Sequence, residues 1–171
     1  MIDQQTANMM LTAASTLDTV ALHFKAAKYQ MRKQYSEGVA CFLSNEAMEL
    51  WRYAGRIRNY VIKHDAMISD IPAQAAAPVG PAEINQCLEA LKVKYKQAIG
   101  VVVEVGKKTQ AAGHTMSAIF IFEICEDLQK DYQEVAKQAN HTTVGIPDNL
   151  ISIDRDLYRK YSTKLYKNGS E

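Results

Sequence analysis

Cysteine and proline are scarce in this chain, and so is any imbalance of charge. Cys41, Cys87 and Cys125 are widely spaced, with no Cys-x-x-Cys pair, which argues against a disulfide framework, a zinc knuckle or a dithiol redox motif. They read as small buried hydrophobes in a reducing cytosol. Lysine and arginine number 20 against 19 acids, a formal net charge of +1, so whole-chain electrostatics point to neither nucleic acid nor an acidic membrane as partner. No apolar run approaches the ~20 residues of a membrane span. The opening MIDQQTANMM lacks the basic and apolar regions of a signal peptide, and the expectation is a cytoplasmic protein with no membrane and no nucleic-acid partner.

What is present is helical pattern. At 171 residues with 47% hydrophobic and 23% charged side chains, the chain is sized for a single domain, 1–171, able to bury roughly two-thirds of its unfolded surface. From Gln4 to Gln34, Met10, Ala13, Leu17, Ala21, Phe24 and Met31 share one helical face. Ser36-Glu37-Gly38 breaks that pattern. From Glu37 to Val61 the stripe is Val39, Leu43, Ala47, Leu50, Ala54, Ile57 and Val61, ending near His64-Asp65, and the short joint forces an antiparallel hairpin. Ala66 to Ala82 holds Pro72, Pro78, Gly80 and Pro81, which neither helix nor strand interiors tolerate. A connection of that length is read as a crossover along the bundle, making the third helix parallel to the second.

The third helix, about Ala82 to Ala112, carries Ile84, Leu88, Leu91, Tyr95, Ala98, Val102 and Val105, with Gly113 as its stop. The fourth begins after His114-Thr115 and runs to about Asn140 through Ile121, Ile124, Leu128, Val135 and Ala139; its SAIFIFEIC stretch is apolar nearly all round, implying burial on more than one side. After Val144-Gly145-Ile146-Pro147, a fifth helix is expected over about 148–166, with acids early and Arg159, Lys160 and Lys164 late. The fold class is all-α: an antiparallel four-helix bundle, about 4–140, with one long crossover between helices 2 and 3 and a short C-terminal fifth helix.

The element order, the EGVACFL opening of the second helix, the spacing to LWRYAGRIRNY and the late LISIDRDL resemble the bacterial non-haem ferritins over residues 10–160. The resemblance implies a ferritin-like bundle in which glutamates, a Glu-x-x-His pair and further acids surround two irons. Position by position, the first-helix glutamate falls on Leu17 and a nearby tyrosine on Phe24. The Glu-x-x-His pair falls on Leu50 and Tyr53, and the third-helix glutamate on Lys94. On the fourth helix Asp127 stands where the family has a glutamine, and a later acid becomes Lys130. Glu49 and Glu126 remain as residual acids. A metal centre needs several convergent anionic or imidazole donors with a supporting shell, so the expectation is a degenerate di-iron centre, no ferroxidase activity and no resident metal.

Emptying a carboxylate-lined core of metal leaves unpaired buried charge, which is strongly destabilising. Leu17, Phe24, Leu50 and Tyr53 are expected to offset this by filling the volume with apolar surface, and Lys94 is expected to pair with Asp127 or Glu126 as a counter-ion in place of iron. The competing expectation is that Lys94, Lys130, Glu49 and Glu126 are ordinary rim charges. His23, His64, His114 and His141 read as helix-end or surface residues, and the Tyr158-x-x-Tyr161 cluster as a solvated face. No carboxylate lies between His114 and Phe122, so no acidic entry funnel is expected there. Arg52, Arg56 and Arg58 interleave with Trp51, Tyr53 and Tyr60, a mixture found at interfaces or, equally, along an intramolecular rim.

By this resemblance the chain is a ferritin-like shell subunit related to iron storage or homeostasis, self-associating as a dimer or a 24-subunit cage, with co-assembly alongside an active ferritin subunit also open and iron held only in the shell interior. The alternative is a non-catalytic structural or binding protein on the same scaffold, unrelated to iron. An enzyme of other chemistry is the weakest reading, because no nucleophile and base stand together.

Overall fold

The computed structural model describes residues 2–34, 36–64, 83–144 and 147–167. Five helices occupy them: α1 Gln4–Lys33, α2 Glu37–Lys63, α3 Ile84–Ala111, α4 Thr115–Val144 and α5 Pro147–Lys167. The proline-rich crossover expected over 66–82 lies outside the described residues. Its topological consequence can still be read from the helices.

Side-chain pairs fix the direction of each helix. Lys25 lies over the Trp51 ring and Asp18 pairs with Arg58, so α1 and α2 are antiparallel. Tyr95 meets Tyr132 while Gly106 faces Phe122, which makes α3 and α4 antiparallel as well. Arg56 reaches Asp127 and Tyr60 stacks on Phe120 at 4.2 Å, so α2 also opposes α4. Hence α2 and α3 run the same way, as a crossover between them requires.

The stripes assigned from periodicity are the buried faces. Every position named for α1 and α2 is buried, and those named for α3 are too, except Ile84 at its frayed start. Val101, Val102 and Val103 are helical despite their strand propensity, because tertiary packing of the stripe outweighs it. On α4 the apolar surplus is not covered on all sides. Ile121, Ile124 and Cys125 are buried, but Met116 and Ile119 are 73% and 46% exposed.

Local chemistry sets the helix ends. The Asp3 carboxylate accepts the Thr6 N–H at 2.6 Å and contacts His114 Nε2 at 3.0 Å, tying the start of α1 to the α3–α4 corner. These bonds hold the Asp3 carboxyl down to about 2. Gly113, at φ +85°, closes α3 with the His114 N–H donating to the Thr109 carbonyl at 3.1 Å and the Gly113 N–H to Gln110 at 3.0 Å, the αL ending that favours glycine.

The fifth helix is structurally committed to α2. Ser36 makes no side-chain cap; instead Asp154 of α5 accepts the Val39 N–H at 2.9 Å, capping α2 from a distant part of the chain. Phe42 packs on Tyr161 at 5.4 Å, and Tyr161 is only 3% exposed. The tyrosine is therefore core rather than the solvated face expected, whereas Tyr158 is exposed. Gly38 sits inside the first turn of α2, not in a break before it. A Cβ there would lie 1.7 Å from the Asp154 carbonyl oxygen, so glycine is required by the α5 backbone.

Gly38→Ala is expected to push α5 off α2 and lower stability by about 1–3 kcal/mol through overpacking, read as a lower denaturation midpoint. Gly55→Ala is the control. Nothing lies within 4 Å of its added Cβ, and the change is expected to stabilise by about 0.5–1 kcal/mol through helix propensity.

Candidate functional site

Leu17, Phe24 and Leu50, the positions where the resemblance places two glutamates and a tyrosine, are each 0% exposed. They form a dry plug between the helices. Phe24 meets Tyr95 edge-on at 5.9 Å, an arrangement that adds to the burial of two large rings.

Lys94 does not pair with Asp127 or Glu126. It lies half-buried on α3 in the groove facing α1, close enough to His23 to act on its charge. The physical reason is that an ammonium on a flexible four-carbon stem reaches water by lying along the helix rather than entering an apolar core. Asp127 is instead held by Arg56 at 3.1 Å and by Lys130 at 3.4 Å; the Arg56 guanidinium, then Lys130, keep its carboxyl below the usual range. Glu126 is exposed, and Glu49 pairs with Arg52 at 3.0 Å. The arginines of α2 thus serve an intramolecular rim, with Arg58 closing on Asp18.

What the helices do bring together is a seam that shares Glu49, Tyr53 and Asp127 with those positions and adds acids one turn away. Glu46, Glu49 and Tyr53 share one face of α2, while Asp127, Asp131 and Glu134 share one face of α4 at spacings of four and three. The Tyr53 hydroxyl donates to Asp131 Oδ2 at 2.7 Å. Glu134 accepts from Gln138 Nε2 at 2.9 Å and from Lys160 Nζ of α5 at 3.0 Å. Glu46, Asp131 and Glu134 were not singled out from the sequence, yet their spacing was visible there.

Glu46 is the unusual member of this seam. It is 4% exposed, its Oε2 has no partner, and the deeply buried Tyr95 hydroxyl also has none. Among the described residues, the one donor to Glu46 is the Asn45 amide, which reaches Oε1 at 3.4 Å. Burial, then the nearby Asp131 charge, pushes its carboxyl up to about 8. At neutral pH Glu46 is therefore mostly an uncharged acid, with Asp131, Glu49 and Glu134 near enough to oppose its ionisation. Asp131 is raised too, by burial first, with the Tyr53 hydroxyl opposing.

Among the described residues, no group of three or more His, Cys, Asp or Glu converges closely enough to hold a metal ion. The donor chemistry at the expected iron positions is also wrong for a resident di-iron group. Leu17 and Leu50 offer no lone pair, Tyr53 spends its hydroxyl on Asp131, and Asp127 is engaged by two cations. The four histidines are scattered: His114 joins Asp3, His64 stacks against Tyr60 at 4.4 Å, His141 is exposed, and His23 lies in the α1–α3 groove.

Comparison with solved structures finds the same architecture in an open-pore ferritin from the hyperthermophilic archaeon Archaeoglobus fulgidus. It superposes with a TM-score of 0.86 at 9% identity, over 92% of this chain and 98% of that one. A closed form of the Archaeoglobus fulgidus ferritin, engineered by site-directed mutagenesis, gives a TM-score of 0.87 at 9% identity, over 92% and 96%. At this identity the likeness is one of fold, and the fold is ferritin-like. No protein-family model matches the sequence, and no curated protein does. Among the described residues no helix is long and apolar enough to cross a membrane.

Glu46 carries a pH dependence whose sign is fixed. Its carboxyl moves from an ordinary 4.5 to about 8 on folding, so between those values the folded protein binds the extra proton. Its favourable contribution is fully present below the lower value and lost as pH rises through the upper one. Stability is expected to fall between pH 5 and pH 8 in denaturant titrations. Glu46→Gln is expected to flatten that slope and to raise the midpoint at pH 8; an unchanged slope would contradict the assignment.

Proposed function

We propose that this chain is a ferritin-like shell subunit that serves iron storage or homeostasis without oxidising iron at a di-iron centre. The observation that carries the reading is the burial of Leu17 and Leu50 at 0% exposure, where the resemblance puts carboxylates, inside a bundle of ferritin fold. A subunit built this way contributes surface and volume to an assembly rather than redox chemistry. Iron is then cargo, accumulated in the interior of the particle or oxidised by active subunits with which this chain co-assembles.

Self-association is supported by the α4 entrance. Met116 and Ile119, three residues apart on one helical face, leave an apolar surface uncovered within the chain, and such surfaces mark contact sites when contiguous. The same observation favours the second reading, a structural or binding protein unrelated to iron. An iron-guiding surface calls for carboxylates, and this one is apolar.

Fe(II) added anaerobically at two per subunit, then exposed to oxygen, is expected to oxidise no faster than in protein-free buffer. A fast phase at that ratio would overturn the proposal. Light scattering is expected to give a particle many times the 19.1 kDa of one chain; a monomer at micromolar concentration would remove the shell and leave the second reading.

A further inference from the structure

On the face opposite the α2–α4 seam, α1 and α3 line an open concavity of ≈ 260 Å³. Lys94 and Gln97 project from one face of α3, His23 from α1, and among the described residues no carboxylate lines it. Other cations of the bundle stand beside an acid, as at Arg32–Glu37, Arg52–Glu49, Lys92–Glu89 and Lys160–Glu134. Lys94 makes no ion pair or hydrogen bond among the described residues, and the His23 ring and the Gln97 amide make no hydrogen bond there either.

The groove is therefore lined by three side chains with unspent donors, from two helices, and by no anion among the described residues. The acceptors beside them are specific as well. Thr16 and Thr19 donate their hydroxyls to the Thr12 and Ser15 carbonyls, each at 2.9 Å, so toward the groove each oxygen offers lone pairs rather than a proton. Burial, then the Lys94 ammonium, lowers His23 below its ordinary range, so its neutral ring also offers one N–H and one lone pair.

We infer that this groove binds inorganic hydrogen phosphate. Lys94 and Gln97 donate to its charged oxygens, and the phosphate's remaining O–H donates to His23 or to a threonine oxygen. Charge-assisted bonds of this kind are about twice as strong as neutral ones, which makes Lys94 the principal determinant. Sulfate has the same shape and no O–H at neutral pH, so it leaves the acceptors unmatched. A phosphate ester is disfavoured for the same reason, since its second ionisation lies near pH ~6 and its dianion carries no O–H. This site is independent of whether the chain assembles into a shell or handles iron.

The test is NMR of the His23 Cε1–H at pH 7.5, assigned with His23→Gln, during titration with sodium phosphate. A saturable shift is expected, absent with sodium chloride at matched ionic strength and several-fold weaker with sulfate or methyl phosphate. Lys94→Gln is expected to weaken phosphate binding about tenfold, the loss of one charge-assisted contact. Gln97→Ala, at an exposed position where folding is not at stake, is expected to weaken it less. Equal shifts with chloride or sulfate, or an unchanged titration in Lys94→Gln, would overturn the proposal; stronger binding of methyl phosphate would overturn the choice of the free anion.

Discussion

Moving a carboxylate from water into an apolar interior is strongly unfavourable unless the charge is paired or neutralised, and the arrangement along α2 and α4 follows from that constraint. At the exposed end of the seam Asp127 stays ionised between Arg56 and Lys130. Farther in, Asp131 is half-buried and takes the Tyr53 hydroxyl. At the deepest position no cation among the described residues reaches the carboxyl, and Glu46 retains its proton. The gradient from paired charge to neutral acid tracks the gradient of water access.

Against this seam the neighbouring plug is apolar by composition. Leu17, Phe24 and Leu50 leave no polar atom to satisfy, and a fully buried side chain of this size contributes about 1.5–3 kcal/mol. A metal-lined interior would instead draw its order from bonds to an ion. One topology accommodates either kind of interior, so fold likeness at 9% identity says nothing by itself about chemistry.

The buried stripes of α1, α2 and α3 were legible because helical period alone decides which face turns inward. Of the site, only the residues at the positions where the resemblance expects ligands were legible. Leu17 and Leu50 cannot act as ligands in any conformation, so their meaning survives without coordinates. The seam was missed because pairing Tyr53 with Asp131 depends on the axial offset between two helices joined through a third, and no local pattern encodes it. Lys94 was misplaced for a related reason: spacing fixes its Cβ on the helix, but the direction taken by its four-carbon stem depends on where water is. Tyr161 read as surface because its partner, Phe42, is 119 positions earlier in the sequence.

One contact gives the chain a temporal order. The first turn of α2 lacks its own side-chain cap and borrows Asp154 across 115 residues, with Gly38 cleared for the backbone that carries it. During synthesis from the N-terminus, α1 and α2 emerge and pair while that end of α2 is still open. The helix is completed only when the last element arrives. Until Asp154 arrives, the Val39 amide at that end of the first hairpin is left to water.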